Sequence, residues 1–254
     1  MAKLIFLGTS NAIPGEHNEN THMVVVGEKR TILIDCPNSP ILRLQKVGVD
    51  FNDLSDLVLT HFHPDHVSGV PQLLMNMWLM GRLPPLNIYG LKHTIDRIET
   101  LMGLYNSTQW PGLFPVRFYR LPEEPLFSVI DCDELRLFAT PMQHFIPTIG
   151  LRIEFVQSNK VLAYSSDTEP CRQILQLAKN ADVLLHESTG ALPGHSSAMQ
   201  AGEAARLAKV GSLYLIHYPT GQFASGSLVA EARQRFDGPV TLAEDYMVLD
   251  FSKE

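Results

Sequence analysis

The chain has 254 residues, of which 45% are hydrophobic and 19% charged, and this balance excludes an intrinsically disordered protein. Its formal net charge of −7 opposes non-specific attraction to a polyanion, although a local basic surface or bound divalent metals would offset part of that charge. The three cysteines, Cys36, Cys132 and Cys171, are odd in number and widely spaced, which argues against a disulfide framework or a cysteine zinc site and favours a reducing cytoplasm.

Short apolar runs bounded by Gly, Pro, Asn or Asp recur along the chain and predict strands. The first run is too short for a signal-peptide core or a membrane span, so no membrane association is expected. The predicted strands are residues 3–7, 22–26, 31–35, 56–60, 86–89, 116–121, 135–140, 149–155, 161–165, 183–186, 213–216 and 246–251. Apolar residues at helical spacing predict helices at residues 40–46, 67–80, 93–104, 172–178, 197–209 and 228–236.

The order of these elements indicates the fold class. Strands come first in hairpin-like succession and later alternate with helices, which is typical of stacked sheet layers flanked by helices and not of a purely parallel βαβ protein. Proline and glycine are scattered, with no low-complexity linker. An α/β (α+β) fold in one domain over residues 1–254 is therefore expected.

Two apolar segments have alternative interpretations. Residues 103–127 carry aromatic side chains among prolines, which fits either a lid or substrate wall or an aromatic packing loop. The stripe "LLMNMWLM", residues 73–80, fits core packing or a subunit interface. The sequence leaves both pairs of alternatives open.

The densest cluster of chemically active residues follows the predicted strand 56–60, in the segment "THFHPDH". Neutral imidazole and carboxylate groups are ligands that suit zinc, iron or manganese. His61 and His63 can share one ion if the backbone is extended, whereas Asp65 and His66, after the turn at Pro64, point towards another. The alternative, a merely polar surface loop, is improbable at this spacing.

Two metals need further ligands, and polar residues follow three later strands. His144 comes after strand 135–140, Asp167 after strand 161–165, and His217 at the end of strand 213–216. Open sheets place ligand sites at such strand ends. Taken singly, each residue fits a capping or structural role as well, and Asp167 could cap a helix that starts near Pro170.

These segments carry a family resemblance. The set "THFHPDH", His144, "SSDT" and "LIHY" resembles the metallo-β-lactamase superfamily of binuclear metallohydrolases, and "FLGTSNAIP" and "ILIDC" are similar to its opening strands. Within the superfamily, "HPDHVSGVPQLL" and the pair "HEST" and "GHSSAMQAGEAARLA" resemble the ribonuclease Z group, the transfer RNA 3′ processing endonucleases.

The resemblance implies a four-layer αββα sandwich with two divalent metals at one edge, expected to be zinc, with manganese or iron as alternatives. Carried over by position, the ligands of one metal would be His61, His63 and His144, those of the other Asp65, His66 and His217, and Asp167 would bridge them. Asp35 would hold the ligand loop by hydrogen bonds without touching a metal, because ligating groups need orienting partners.

Glu187 and His195 have two interpretations. Ser197 and Gln200 have the spacing of a capping box, so His195 alone could be an exposed residue beside a helix start. In the ribonuclease Z group the matching glutamate and histidine lie at the active site. The resemblance therefore implies that His195 protonates the leaving oxygen while Glu187 keeps it charged. The neighbouring His186 is interpreted as structural.

The expected reaction is phosphodiester hydrolysis, in which the two metals lower the pKa of a bridging water and Asp65 orients the resulting hydroxide. Ribonuclease Z proteins usually insert a long transfer RNA-binding arm between the positions of His144 and Asp167, and here only residues 145–166 intervene. An RNA 3′ end and a small phosphodiester or other ester therefore both remain candidate substrates. A catalytically silent metal-binding scaffold would require a missing ligand or proton donor, and none is missing. Because ribonuclease Z proteins are commonly dimers, a homodimer is expected.

Overall fold

The protein is described by a computed structural model that covers residues 2–224 and 226–252. Its strands are β1 Lys3–Gly8, β2 His22–Val26, β3 Thr31–Ile34, β4 Leu54–Val58, β5 Leu86–Leu91, β6 Val116–Leu121, β7 Phe127–Asp131, β8 Leu135–Met142, β9 Thr148–Phe155, β10 Lys160–Tyr164, β11 Val183–Glu187, β12 Ser212–Ile216, β13 Val240–Leu242 and β14 Val248–Asp250. Its α-helices are α1 Pro40–Lys46, α2 Pro64–Val67, α3 Val70–Leu79, α4 Lys92–Leu104, α5 Arg172–Leu177, α6 Ala198–Ala208 and α7 Leu228–Ala232. Short 3-10 helices lie at Ser107–Gln109 and Gly221–Phe223.

The strands form two mixed sheets of seven strands each. The first has the order β14-β1-β2-β3-β4-β5-β6, and the second has the order β13-β12-β11-β10-β9-β8-β7. Strands β3 to β6 of the first sheet run parallel to one another, as do β10 to β13 of the second. Each sheet therefore has several carboxyl strand ends along one edge, where loops can bring polar side chains together.

Both faces of each sheet are covered, as the alternation along β1 illustrates. Leu4 and Phe6 pack between the two sheets, whereas Ile5 and Leu7 pack under the helices α1 to α4 on the outer face. The outer face of the second sheet packs against α5 to α7. Helix, sheet, sheet and helix are thus four layers, and the predicted αββα sandwich is confirmed.

The loop that follows the histidine motif differs from its prediction. A single helix over residues 67–80 was predicted, but the structure has α2 and α3 with a break at Ser68 and Gly69. The Gly69 amide donates to the Cys36 carbonyl at 2.8 Å, and the Cys36 amide donates to the His66 carbonyl at 2.7 Å. A helix straight through Gly69 would lose this contact, which holds residues 36–38 against the motif.

Two strands were not predicted, and both the last predicted strand and the last predicted helix, 228–236, were too long, since α7 ends at Ala232. β7 is half exposed and β13 has only three residues, so neither has a distinct apolar pattern. The strand predicted at 246–251 begins only at Val248, since Tyr246 has a left-handed φ of 71°. In contrast, the predicted capping box of Ser197 and Gln200 is present at the start of α6.

The aromatic segment 103–127 packs against the body of the protein. Trp110 stacks on Trp78 with ring centroids 5.1 Å apart, and Tyr119 stacks on Tyr89 at 4.8 Å. Phe114 is buried below the Arg82 guanidinium. These contacts support the packing-loop interpretation. None of the helices in the described ranges has the length and hydropathy needed to cross a membrane.

We predict that Gly69→Ala weakens the contact between residues 36–38 and the histidine motif. A Cβ at position 69 would lie 2.2 Å from the Asn38 carbonyl oxygen and 2.8 Å from that of Cys36, so the backbone must move. Overpacking of this kind costs about 1–3 kcal/mol. The free energy of unfolding in urea should fall by that amount.

Gly103→Ala is the matched control, because Gly103 lies in α4 with nothing within 4 Å of the added methyl group. Replacing a helical glycine by alanine stabilises a protein by about 0.5–1 kcal/mol. Equal unfolding free energies for Gly69→Ala and the unsubstituted protein would contradict the proposed close contact.

Candidate metal centre

The polar residues predicted at strand ends lie together at one edge of the sandwich. The histidine motif follows β4 of the first sheet, while Asp167 and His217 follow β10 and β12 of the second. The two sheets are joined here by backbone hydrogen bonds, one from the Ile149 amide to the Thr60 carbonyl and one from the His217 amide to the Thr9 carbonyl. The side chains are therefore held by both sheets at once.

Three left-handed residues turn the chain at this edge. Asp35, Ser166 and His217 have φ values of 60°, 52° and 52°. Residues other than glycine rarely adopt this conformation, and it costs about 1–3 kcal/mol unless surrounding contacts enforce it. Each turn ends a strand abruptly and keeps a polar side chain at the sheet edge.

The first group of ligand atoms comes from His61, His63, His144 and Asp167. His63 Nδ1 lies 3.0 Å from His61 Nε2 and 3.2 Å from His144 Nε2. Asp167 Oδ2 lies 3.8 Å from His61 Nε2 and 3.9 Å from His144 Nε2. Three imidazole nitrogens and one carboxylate oxygen thus face a common point.

The second group comes from Asp65, His66 and His217. Asp65 Oδ2 is 3.4 Å from both His66 Nε2 and His217 Nε2. Asp167 joins this group through its other oxygen, since Oδ1 lies 3.6 Å from His66 Nε2 and 3.5 Å from His217 Nε2. Asp167 therefore presents one carboxylate oxygen to each group.

The two groups fit divalent metal ions. His66 Nε2 and Asp167 Oδ1 are buried and have no hydrogen-bond partner among the described residues. Unpaired buried polar atoms are costly, and a cation between them would satisfy both. Imidazole nitrogen with carboxylate oxygen is the ligand chemistry of zinc, iron and manganese.

Asp35 lies behind the histidine motif and orients two of its residues. Its Oδ1 accepts from the Thr60 amide at 2.8 Å, and its Oδ2 accepts from His66 Nδ1 at 2.9 Å. The Thr60 hydroxyl also contacts Asp35, at 2.8 Å, and lies 3.0 Å from His61 Nδ1. These bonds leave the Nε2 atoms of His61 and His66 directed at the ligand groups.

The ligand histidines of the second sheet have similar supports. His144 Nδ1 donates to the Gly194 carbonyl at 2.7 Å, and His217 Nδ1 lies 2.9 Å from the Thr189 hydroxyl. Because that hydroxyl donates to the His217 carbonyl, its oxygen accepts from the ring. Thr60, Thr189 and Gly194 were not singled out from the sequence, although each stands inside or beside a quoted motif.

Electrostatics at the centre favour positive charge. Burial lowers the pKa of His61 and of His144, which keeps both imidazoles neutral as ligands require. Burial also acts to lower the pKa of His66, but the charges of Asp167 and Asp35 raise it well above its ordinary value. The position beside His66 Nε2 is therefore one where a cation is stabilised.

His195 stands beside the two ligand groups and contacts Glu187. Its Nδ1 donates to Glu187 Oε1 at 3.1 Å and lies 3.9 Å from Asp167 Oδ2. Glu187 is fully buried and accepts from the amides of Ser196 and Thr189, both at 2.9 Å. Burial lowers the pKa of His195, but the hydrogen bond to Glu187 and the charges of Glu187, Asp167 and Asp65 together outweigh burial, so the net shift is upward.

The chain is similar in sequence and in fold to several known proteins. The family model described as Anti-Pycsar protein Apyc1 matches residues 2–224. Ribonuclease Z of Mycolicibacterium gilvum is 32% identical over 272 aligned residues, which cover 96% of this chain and 94% of that protein. The metallo-β-lactamase fold protein YhfI of Bacillus subtilis has a TM-score of 0.82 at 20% identity over 98% of both chains. A diphosphatase from the PhnP family has a TM-score of 0.75 at 18% identity, over 99% of this chain and 98% of that one.

We predict that Asp35→Ala lowers the affinity for divalent metal without removing a ligand. The substitution frees the ring of His66 and leaves the Thr60 amide without its acceptor. Loss of such an orienting partner typically costs about 10–100-fold in metal affinity. Competition against a chromophoric chelator would measure the change.

Asp56→Ala is the matched control, because Asp56 is also buried and belongs to β4, the strand that precedes the motif. Its carboxylate pairs with Arg30 at 2.7 Å and accepts from Ser55 and Asn87, all outside the centre. Both variants should be less stable, but only Asp35→Ala should bind metal more weakly. Equal metal affinities for the two variants would contradict the orienting role of Asp35.

Proposed function

Because the chain belongs to the Anti-Pycsar protein Apyc1 family, among the ribonuclease Z-like metal-dependent hydrolases of the metallo-β-lactamase fold, we propose that it hydrolyses a small phosphodiester at two divalent metal ions. The single observation that carries the proposal is the placement of Asp167, with one oxygen facing each group of ligands. A shared carboxylate of this kind suits a pair of metals that act on one phosphoryl group.

The residues present fit two metals. His61, His63 and His144 would hold the first, Asp65, His66 and His217 the second, and Asp167 would bridge them. When bound, the metals would neutralise charge on the phosphoryl oxygens and lower the pKa of a coordinated water. The histidine-rich set supports zinc, with manganese or iron as alternatives.

Asp65 and His195 would move the protons of the reaction. Burial alone would raise the pKa of Asp65, but the nearby imidazoles of His217 and His66 hold it well below its usual range, so the carboxylate can accept a hydrogen bond from the attacking water. His195 uses Nδ1 to contact Glu187, which leaves Nε2 to protonate the departing oxygen. Glu187 would stabilise the protonated ring through this bond.

A small substrate is supported by what lies between His144 and Asp167. Residues 145–166 contain only β9, β10 and their short connections, and the two strands pair directly as a hairpin. At the centre, the ion pairs among the described residues join histidines to carboxylates and involve no lysine or arginine. RNA binding rests largely on such cations, and the net charge of −7 also opposes it.

The second candidate is cleavage at an RNA 3′ end. It is favoured by the relative from Mycolicibacterium gilvum, which is named ribonuclease Z and aligns with 96% of this chain. A catalytically silent scaffold is not supported, because the seven ligand positions and the His195–Glu187 pair are all present.

Three further features belong to the proposal. A single domain over residues 1–254 is supported by the pairing of β1 with β14 in one sheet. A homodimer is supported by exposed apolar side chains near the ends of α3 and α4, including Leu79, Leu83 and Leu104. A cytoplasmic location is supported by the three unpaired cysteines.

The proposal predicts which of two phosphodiesters is cleaved. The metal-loaded protein should hydrolyse a small aryl or cyclic phosphodiester and should leave the 3′ trailer of a precursor transfer RNA intact, since nothing between β8 and β10 is long enough to hold the RNA body. Product release from both substrates, with chelator-treated protein as the blank, measures this. Trailer cleavage without turnover of either small phosphodiester would favour the RNA candidate instead.

The role of His195 predicts a dependence on the leaving group. His195→Ala should lower kcat about 100-fold or more for a phosphodiester with an alkyl leaving group, because general acids typically contribute at least that much. For a p-nitrophenyl leaving group, which departs without a proton, the loss should be less than about tenfold. Metal content is measured alongside as the control. An equal loss on both substrates would show that His195 does not act as the acid.

A further inference from the structure

Phe145 is an exposed aromatic side chain beside the metal centre. It follows His144 directly and is 65% exposed. Its ring centroid lies 5.2 Å from that of His144 and 6.4 Å from that of His195. Single exposed apolar side chains are common on proteins, so its exposure alone assigns no role. The position of Phe145 does indicate a role, because its ring adjoins both a candidate ligand and the candidate proton donor.

The ring of Phe145 rests on a glycine that is itself fixed. A Cβ at position 194 would lie 2.6 Å from Phe145 Cε2 and 2.8 Å from Cδ2, so only glycine lets the ring lie this close to the backbone. The Gly194 amide donates to Glu169 Oε1 at 2.7 Å, and its carbonyl accepts from His144 Nδ1, also at 2.7 Å. Gly194 has a φ of 76°, which also favours glycine.

The surroundings of the ring favour apolar contact over ionic contact. Leu192, on the same loop as His195, is 58% exposed, and its carbonyl accepts from the His195 amide at 3.0 Å. Glu169 is occupied by Gly194 and by Gln143, whose Nε2 donates to it at 3.0 Å. A substrate group on the His195 side of the centre therefore meets the flat ring of Phe145, beside a carboxylate that is already paired.

We propose that Phe145 determines specificity by stacking on a planar aromatic group attached to the scissile phosphate, on the side where His195 protonates the leaving oxygen. This inference rests on the proposed function, because it takes the phosphoryl group to be held between the two ligand groups. The distances of 5.2 and 6.4 Å from the ring to His144 and His195 are comparable to the reach of an aryl group bonded to that phosphate. Stacking of an aromatic side chain on a planar base changes affinity about 5- to 100-fold.

The test compares two monoester inhibitors of the metal-loaded full chain, phenyl phosphate and ethyl phosphate, whose ester groups stand in for the leaving group, with bis(p-nitrophenyl) phosphate as substrate. Phe145→Ala should raise the inhibition constant of phenyl phosphate about 5- to 100-fold and that of ethyl phosphate less than about twofold. Phe145→Trp should retain the preference for phenyl phosphate. Phe145→Leu should lose most of it, because leucine keeps the apolar area without the flat face.

Phe223→Ala is the matched control, since Phe223 is 51% exposed and lies in a 3-10 helix outside the centre. It should leave both inhibition constants unchanged. A nucleoside monophosphate as a third ligand identifies the source of the planar group. If Phe145→Ala weakens it as well, the group includes nucleobases, and if only phenyl phosphate responds, the group is a simple aryl.

Equal effects of Phe145→Ala on phenyl and ethyl phosphate, or no effect on either, would overturn the proposal. A change in molar mass by light scattering together with equal effects would assign the ring to a subunit interface instead. Failure of the proposed function has a different signature, because the unsubstituted protein would then not turn over bis(p-nitrophenyl) phosphate. Calorimetric titration of the two monoesters would still test the ring in that case.

Discussion

The centre depends on one buried carboxylate, Asp167, that faces two sets of imidazoles. Ionising a buried carboxylate is costly, and burial alone would raise the pKa of this group. The charges of His217 and His66 lower it well below its ordinary value, so Asp167 remains ionised inside the protein. Its two oxygens then face two separate groups of candidate ligands. Most other hydrogen bonds at this edge keep those two groups in position.

The sheets provide this support through the way their strands end. The strands end at three residues in left-handed conformations, Asp35, Ser166 and His217. Such conformations raise the free energy of the folded chain and persist only where neighbouring contacts enforce them. Asp35 is enforced by its bonds to Thr60 and His66, and the His217 backbone by its bond to Thr9. At Asp35, backbone strain and the orientation of His66 are therefore maintained by the same hydrogen bonds, so loss of one of them disturbs both.

The residues of the two candidate ligand groups were predictable because each follows an apolar run, and a strand that ends at a polar residue has a local signature. The break between α2 and α3 at Gly69 was not predictable, since it depends on a hydrogen bond to Cys36, more than thirty positions away in the sequence. Among the described strands, the short β13 pairs only with β12, and it has no alternation of its own. The hydrogen bond from His144 to Gly194 likewise joins two loops that are distant in sequence, so no local pattern predicts it. Local sequence signals thus predicted the layers of the fold and the candidate ligand residues. Contacts between segments that are distant in sequence could be found only in the structure.

The proposed function also depends on two different sets of residues, one for the reaction and one for the substrate. A pair of ligand groups with a proton donor defines a reaction on phosphodiesters, and this arrangement is compatible with substrates of very different size. In the proposed function, the short hairpin of β9 and β10 limits the size of the substrate, and side chains at the rim of the centre, such as Phe145, set the chemical preference. Phe145 belongs to that rim, yet its ring rests on Gly194, whose carbonyl orients His144. In the proposal, recognition and metal binding therefore share one backbone position, Gly194, and substitutions of Phe145 should change the substrate preference while Gly194 continues to orient His144.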